Sequence, residues 1–231
     1  MTLNNTYSLQ DIVVGVRFAN GAYMRNMQHD TLEEARAYAP GREITTGKSK
    51  KYQTQLCFRD EREMGAFYAE REAVSLEMGC VREIEHFPLR FDLDIDFCSS
   101  CTCDAKACCD VCWEAVALPA MKRLKHVLET QMEYKGLLFV FSGRRGFHAW
   151  VLDRRVWSLD REQRRAILAQ MRCNLDEDVT LNATHLCKLP LSVHAATKKR
   201  SILIDENFRP GSYKEREGMA AELQKAINES F

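Results

Sequence analysis

Residues 91–97, FDLDIDF, constrain the fold of this chain more than any other stretch of its sequence. Successive side chains of a β-strand point to opposite faces, so the apolar residues would line one face and Asp92, Asp94 and Asp96 the other. Aspartates about 6.5–7 Å apart along one face repel each other, and Asp is disfavoured in strands. Two explanations are open. The face is a solvated edge, or it binds a divalent cation such as Mg²⁺ or Mn²⁺, which prefers oxygen ligands.

The composition is that of a globular protein and leaves the class of partner open. The chain has 231 residues, 45% hydrophobic and 29% charged, which fits one large domain or two small ones. Its 33 basic and 33 acidic residues cancel, but a local basic surface is enough for nucleic-acid binding. Neither a signal peptide nor an apolar run of about 20 residues is recognisable, so we expect a soluble intracellular protein without a membrane partner.

Strand-like and helix-like patterns alternate along the rest of the chain. This mixture predicts an α/β or α+β fold. Strands are predicted at 52–58, 136–143, 147–152 and 200–205, and helices at 60–78, 112–132, 160–171 and 212–228. The strands at 136–143 and 147–152 should form a hairpin, and Pro119 should start or kink the helix that contains it.

Six of the ten cysteines lie close together, at positions 98, 101, 103, 108, 109 and 112. We call residues 98–112 the cysteine segment. The Cys109-x2-Cys112 spacing is typical of a zinc knuckle, and thiols at this density in an intracellular protein favour zinc over disulfides. We expect Cys101, Cys103, Cys109 and Cys112 to hold one structural Zn²⁺, with Cys98 and Cys108 left over. The alternative is a redox-active or simply reduced loop.

Residues 142–148, SGRRGFH, join the two strands of the predicted hairpin. The two glycines permit a tight turn and a close approach of the backbone, and adjacent Arg144 and Arg145 carry planar donors suited to phosphate oxygens. His148 begins the next strand and could donate to a phosphate as well. The alternative is an ordinary surface hairpin with a chance pair of arginines.

The region 186–205 is the most cationic part of the C-terminal half, and alone it could be a solvated loop. Its basic residues are Lys188, His194, Lys198, Lys199 and Arg200. Together with the aspartate face and the arginine pair, these residues could hold a nucleoside triphosphate and activate a hydroxyl against its α-phosphate.

In combination these motifs resemble those of the small catalytic subunit of archaeal and eukaryotic DNA primases, in a compact or divergent form. FDLDID is similar to the family's Asp-x-Asp strand, SGRRGFHAWV to its Ser-Gly-x-Arg-Gly-x-His motif, and LPLSVHAATKKRSILID to its Ser-Val-His block. The three blocks occur in the same order over residues 91–205. The cysteine pair that ends in CxxCW also fits.

The resemblance implies a set of site residues. Asp92, Asp94 and Asp176 would be catalytic and would hold two Mg²⁺ or Mn²⁺ ions, with Asp178 as the substitute for Asp176 and Asp96 outside the ligand set. The triphosphate would be bound by Ser142, Arg144, Arg145, His148, Lys188, His194 and Arg42, with His185 a weaker candidate. The zinc knuckle would be structural, and it would be an insertion at 98–112 in one catalytic domain spanning residues 1–231. That domain would have an antiparallel or mixed sheet flanked by helices.

Two departures from the family pattern bear on these expectations. The interval between His148 and Asp176 is short, whereas eukaryotic members carry a long helical insertion there, so the surface for a large subunit is in question. Thr102 separates Cys101 from Cys103, while the corresponding cysteines of the eukaryotic pattern are adjacent. This puts the exact zinc ligands in question.

The sequence therefore predicts a DNA primase that makes short RNA primers on single-stranded DNA by two-metal nucleotidyl transfer. The expected partners are the DNA template, nucleoside triphosphates, a large subunit and the replication machinery. The expected location is the nucleus or a viral replication site. A primase-polymerase that uses deoxynucleotides and a catalytically inactive, zinc-containing nucleic-acid-binding accessory are the alternatives.

Overall fold

The computed structural model describes most of the chain outside the N-terminal region and the first part of the cysteine segment. The described residues are 12–18, 22–24, 26–38, 44–46, 50–56, 58, 61–71, 73–81, 87–95, 107–183, 185–215 and 217–230. The predictions for Arg42, Asp96, Cys98, Cys101 and Cys103 lie outside these residues.

The chain forms two compact units. The first comprises Met1–Glu85 together with Leu186–Leu189, and the second comprises His86–His185 together with Pro190–Phe231. Residues 186–189 therefore belong to the first unit and contribute a short strand to it, although the residues before and after them belong to the second.

The described residues of the first unit form two antiparallel sheets and two helices. Its strands are β1 (Ile12–Phe18), β2 (Tyr23–Met24), β3 (Asn26–His29), β4 (Thr45–Thr46), β5 (Tyr52–Gln55), β6 (Ala73–Val81) and β10 (Cys187–Lys188), and its helices are α1 (Leu32–Tyr38) and α2 (Glu61–Glu70). One sheet has the order β10-β6-β1-β2 and the other β3-β5-β4. Val14, Val16, Leu56 and Phe58 are buried together in its core.

The predicted helix at 60–78 is wrong in its second half. Helix α2 ends at Glu70, and residues from Ala73 onward form β6, which pairs with β1. Alternate apolar residues from Val74 onward fit a strand, and a short run of this kind is ambiguous between the two periods. Pairing with β1, distant in sequence, selects the strand.

In the part of the second unit that the structure describes, four strands form one antiparallel sheet in the order β11-β8-β9-β7. Its strands are β7 (Leu89–Asp94), β8 (Leu137–Phe141), β9 (Gly146–Val151) and β11 (Ile202–Ile204). Its α-helices are α3 (Asp110–Cys112), α4 (Leu118–Lys125), α5 (Arg161–Met171), α6 (Glu177–Leu181) and α7 (Met219–Ser230). The predicted aspartate strand and the predicted hairpin are both confirmed.

A nearly continuous helical run packs on one face of this sheet. Two π-helical stretches, Trp113–Ala117 and His126–Gln131, extend α3 and α4, and Pro119 lies in the first turn of α4. Trp113 is completely buried and makes edge-to-face contacts with Phe141 and Phe147, with ring centroids 5.8 and 6.2 Å away. These contacts join the helical run to β8 and β9.

The described residues therefore form a mixed fold of helices and antiparallel sheets, as the sequence predicts. No helix in the described part of the chain is long and apolar enough to cross a membrane.

Candidate active site

Strand β7 has one buried face, and its opposite face becomes exposed toward the C-terminal end of the strand. Leu89, Phe91 and Leu93 are at most 1% exposed and pack in the core of the second unit. On the opposite face the Asp92 side chain is 25% exposed, and Asp94 is exposed at the strand end. The aspartates therefore lie on the side of the strand where charge can be solvated or neutralised by a ligand.

Pairing with β9 places a histidine beside the first aspartate. Asp92 lies directly opposite His148, and directly opposed residues of an antiparallel pair project from the same face. The His148 Nε2 atom is 3.7 Å from the Asp92 Oδ1 atom, and the histidine side chain is only 8% exposed. The register thus brings together two predicted site residues that are 56 positions apart in the sequence.

The third predicted carboxylate lies next to the same strand. The Asp176 amide donates a hydrogen bond of 2.9 Å to the Asp92 carbonyl, and Asp176 caps the N-terminus of α6 by accepting from the Asp178 amide at 2.9 Å. Both of these α6 aspartates are exposed. Asp176 is therefore the one of the two that the backbone ties to the aspartate strand.

Two residues that the sequence reasoning missed hold α6 against β7. The Thr180 hydroxyl donates to the Arg90 carbonyl at 2.9 Å, and both residues are completely buried. The Arg90 guanidinium donates to the Val179 carbonyl at 3.1 Å and to the His185 carbonyl. An arginine in an otherwise apolar stretch, directly before the aspartate motif, is the sequence signal that could have revealed this anchor.

Residues 142–146, which we call the arginine turn, connect β8 to β9. The Ser142 amide donates to the Gly146 carbonyl at 2.9 Å, and the Ser142 hydroxyl accepts from the Gly146 amide at 3.3 Å. Ser142 is buried, so this side chain closes the turn from inside.

Both glycines of the arginine turn are required by geometry. Gly143 has φ +88°, a conformation that residues with a Cβ rarely adopt. A Cβ on Gly146 would lie 1.7 Å from the Leu93 carbonyl oxygen, so the absence of a side chain lets β9 approach β7 at this point. The loop is thus fitted to the end of the aspartate strand.

The two arginines of the turn are half-buried, and their carbonyls are held from both sides. The Ile95 amide donates to the Arg145 carbonyl at 3.2 Å, and the Cys108 amide donates to the Arg144 carbonyl at 3.3 Å. The Arg145 Nε atom is buried and has no hydrogen-bond partner among the described residues. A guanidinium in this state is suited to an anionic ligand.

A second loop, residues 194–199, packs on the arginine turn. We call it the His194 loop. The Thr197 hydroxyl donates to the Gly143 carbonyl at 2.6 Å, and a Cβ on Gly143 would lie 3.0 Å from the His194 Cβ atom. His194 therefore lies beside the arginine turn, as the resemblance implies.

The structure places most, but not all, of the predicted site residues in the second unit. Asp92, Asp94, Asp176, Ser142, Arg144, Arg145, His148, His185, His194, Cys109 and Cys112 all belong to it. Lys188 belongs to the first unit, where it lies opposite Glu77 in the pairing of β10 with β6. The role of Lys188 in triphosphate binding stays a prediction.

The donor types present fit the two expected kinds of metal. The carboxylates of Asp92, Asp94 and Asp176 are the oxygen ligands that Mg²⁺ and Mn²⁺ prefer. Cys109 caps α3, and its sulfur accepts from the Cys112 amide at 3.5 Å, which is compatible with a C-x2-C half of a zinc site. Among the described residues, no three histidine, cysteine or acidic side chains form a group that could hold a metal ion, so both metal assignments stay predictions.

The middle of the chain matches a known protein family. Residues 91–173 match the family model described as DNA primase small subunit. The chain is a relative of the DNA primase small subunits. The matched residues contain the aspartate strand, the cysteine segment and the arginine turn, so the family resemblance predicted from the sequence is confirmed.

Curated primase small subunits match well beyond this region. The protein of Saccharomyces cerevisiae is 30% identical over 183 residues, which are 78% of this chain and 40% of the yeast protein. That of Caenorhabditis elegans is 36% identical over 114 residues, 47% of this chain and 27% of the nematode protein. The chain therefore spans less than half the length of these relatives.

Among solved structures, the polymerase domain of Mycobacterium tuberculosis Ligase D, in complex with DNA, aligns with a TM-score of 0.46 and 12% identity. The alignment covers 86% of this chain and 75% of that domain. A likeness at this level has no bearing on activity.

Proposed function

We propose that this primase relative is a nucleotidyltransferase that makes short RNA primers on single-stranded DNA. The observation that carries the proposal is the convergence at one end of β7. There Asp92 lies opposite His148, Asp176 is bonded to the Asp92 backbone, and Gly146 of the arginine turn lies opposite Asp94. This arrangement offers carboxylates for metal ions beside cationic donors for a triphosphate.

The proposal assigns the metals by donor chemistry. Asp92, Asp94 and Asp176 would hold two Mg²⁺ or Mn²⁺ ions, and Cys101, Cys103, Cys109 and Cys112 one structural Zn²⁺. The bound divalent ions would supply Lewis-acid activation of the primer 3′-hydroxyl and charge neutralisation at the triphosphate.

The side chains of the chain itself would bind and orient the nucleotide. Arg144 and Arg145 would donate to phosphate oxygens, because the bonds to their carbonyls fix the backbone from which both side chains project. His148 and His194 would donate to the same phosphates, and Ser142 would keep the turn closed. Lys188 and Arg42 complete the set by family resemblance. Such preorganised donors stabilise the charge that develops during phosphoryl transfer.

Primer synthesis on a single-stranded DNA template tests the proposal. The wild type and the double variant Asp92→Asn/Asp94→Asn are compared with Mg²⁺ or Mn²⁺ and labelled ribonucleotides. Asp205→Asn is the matched control, since Asp205 is exposed and caps a turn through the Asn207 amide. Short products from the wild type and the control, but not from the double variant, are expected. Products from the double variant at the wild-type rate would refute the metal role of these aspartates.

The same assay separates the alternatives. Preference for deoxynucleotides would identify a primase-polymerase. Binding of nucleotide and DNA without metal-dependent turnover, with a large subunit supplied, would identify an inactive accessory protein. The large subunit, the replication machinery and a nuclear or viral location belong to the proposal by resemblance.

A further inference from the structure

We propose that Thr197 is a positioning residue of the triphosphate site, which holds the arginine turn and the His194 imidazole in one fixed arrangement. This inference rests on the function proposed above. The family resemblance assigns a role to His194 but none to Thr197, and the inference comes from the hydrogen bonds around its hydroxyl and its amide.

The hydroxyl group of Thr197 bridges the two loops. It donates to the Gly143 carbonyl at 2.6 Å and accepts from the Lys199 amide at 3.3 Å. Because the Lys199 N–H points at the hydroxyl oxygen, the hydroxyl proton is left to bond the Gly143 carbonyl. The direction of the bond between the loops is therefore fixed.

The backbone amide of Thr197 donates a hydrogen bond to the His194 ring. The Thr197 and Ala196 amides both point at the His194 Nδ1 atom, each at 3.3 Å. Two N–H donors require an unprotonated nitrogen, so the ring proton of the neutral imidazole is on Nε2. His194 therefore presents an N–H donor from Nε2.

The close packing of the two loops makes the position of this donor sensitive to Thr197. A Cβ on Gly143 would lie 2.9 Å from the Lys199 carbonyl oxygen, so the loops meet backbone to backbone. Gly143 is followed directly by Arg144 and Arg145. A shift between the loops would change the spacing between the arginines and His194, and with it the fit to one triphosphate.

The variants Thr197→Val and Thr197→Ser test this role. Valine keeps the shape of the side chain and the backbone amide but removes the hydroxyl, whereas serine restores the hydroxyl. Ser201→Ala is the matched control, because it removes another hydroxyl that donates to a carbonyl of the same region, that of Ser192 at 3.1 Å. The measurements are the affinity for a fluorescent nucleoside triphosphate with Mg²⁺, the affinity for single-stranded DNA, and thermal unfolding.

Thr197→Val should weaken triphosphate binding about tenfold, because the partly buried Gly143 carbonyl loses its donor and the two loops lose their bridge. Thr197→Ser and Ser201→Ala should stay within about threefold of the wild type, and DNA affinity should be unchanged in all variants. Equal triphosphate affinity of the wild type and Thr197→Val would overturn the inference. So would a parallel loss of DNA affinity, or a serine variant as weak as the valine variant.

Nitrogen NMR of labelled histidine gives a second measurement that needs no nucleotide. In the wild type the His194 Nδ1 should be unprotonated and Nε2 protonated, and the reverse tautomer would overturn the inference. If the wild type shows this tautomer but binds no triphosphate, the proposed function fails. If it binds triphosphate and Thr197→Val binds equally well, the inference about Thr197 fails alone.

Discussion

At the scale of single residues, Gly146 is the position where the site tolerates least change. A Cβ there would overlap the Leu93 carbonyl oxygen, which belongs to a strand backbone and has little room to move. We expect Gly146→Ala to lower the free energy of unfolding by about 3 kcal/mol or more, as measured by urea denaturation. Gly218→Ala is the control, because Gly218 has φ +82° but open space around it, and it should cost about 1 kcal/mol. Equal losses for the two variants would contradict this prediction.

Asp153 gives the second unit a pH-dependent contribution to stability. It accepts hydrogen bonds from the Arg155 guanidinium and from the Arg155 and Lys135 amides, and these bonds, that of the guanidinium first, lower its pKa from 3.8 to about 2. Because the pKa is lower in the folded state, the ionised carboxylate stabilises the fold above about pH 4. The contribution is about 2 kcal/mol and is lost as the pH falls from 4 to 2.

Asp153→Asn should therefore be less stable than the wild type by up to about 2 kcal/mol at pH 7, and the difference should shrink toward zero near pH 2. Urea denaturation at a series of pH values measures it. Asp160→Asn makes a useful comparison, because Asp160 is an exposed aspartate that caps α5, and asparagine can accept the same capping hydrogen bond. A difference between wild type and Asp153→Asn that stays constant down to pH 2 would contradict the role of the charge.

At the scale of secondary-structure elements, the arginine turn is hydrogen-bonded to one residue before the cysteine segment and to one within it. The Ile95 amide donates to the Arg145 carbonyl, and the Cys108 amide donates to the Arg144 carbonyl. If the segment binds zinc as proposed, removal of the metal by a chelator should loosen the turn and weaken triphosphate binding about tenfold or more. Zinc content and nucleotide affinity are measured on the same samples, before and after zinc is restored. Unchanged affinity in the zinc-free protein would show that the turn keeps its form without the metal.

Local periodicity predicts the elements whose neighbours in space are also neighbours in sequence. Helix α5 and the hairpin of β8 and β9 follow from apolar spacing and from the glycines of the arginine turn. Local pattern predicts the residues of β6 as the end of a helix, because the strand's partner β1 is about 60 residues away and leaves no local signal. Local pattern cannot rank two conformations when long-range pairing decides between them.

The candidate site likewise combines residues that the sequence predicts with residues whose roles depend on long-range contacts. Motif resemblance predicts Asp92, His148 and Asp176 as site residues, and the register of β7 with β9 and the hydrogen bond from the Asp176 amide place them close together. The sequence does not predict the roles of Arg90 and Thr180, because both side chains donate hydrogen bonds to backbone carbonyls of residues far away in sequence. Lys188 lies on a strand of the first unit. Its sequence neighbours are cationic, and this pattern does not predict to which unit the residue belongs.

At the scale of the whole molecule, the strands differ in how deeply their side chains are buried. The core of the second unit joins all four strands of its sheet to the helical run, with Leu124 and Val127 completely buried. In the first unit, Val14, Val16, Leu56 and Phe58 are buried together, whereas no residue of the edge strand β3 is buried. Burial of apolar surface is the main favourable term in folding, so β3 should open more readily than the strands that lie over the core of the second unit.

Amide hydrogen exchange should reveal this difference directly. The slowest-exchanging amides should be those of the central strands β8 and β9, because they are paired on both sides and lie over the core of the second unit. Amides of β3 and β5 in the first unit should exchange at least about tenfold faster, since a difference of 1.4 kcal/mol in opening free energy corresponds to that factor. Mass spectrometry of peptides from both units, under conditions where exchange reports the opening equilibrium, measures this. Leu124→Ala should speed exchange in β8 and β9, because it leaves a cavity beneath the sheet. Equal protection of these four strands in the wild type would contradict the dependence of exchange on burial.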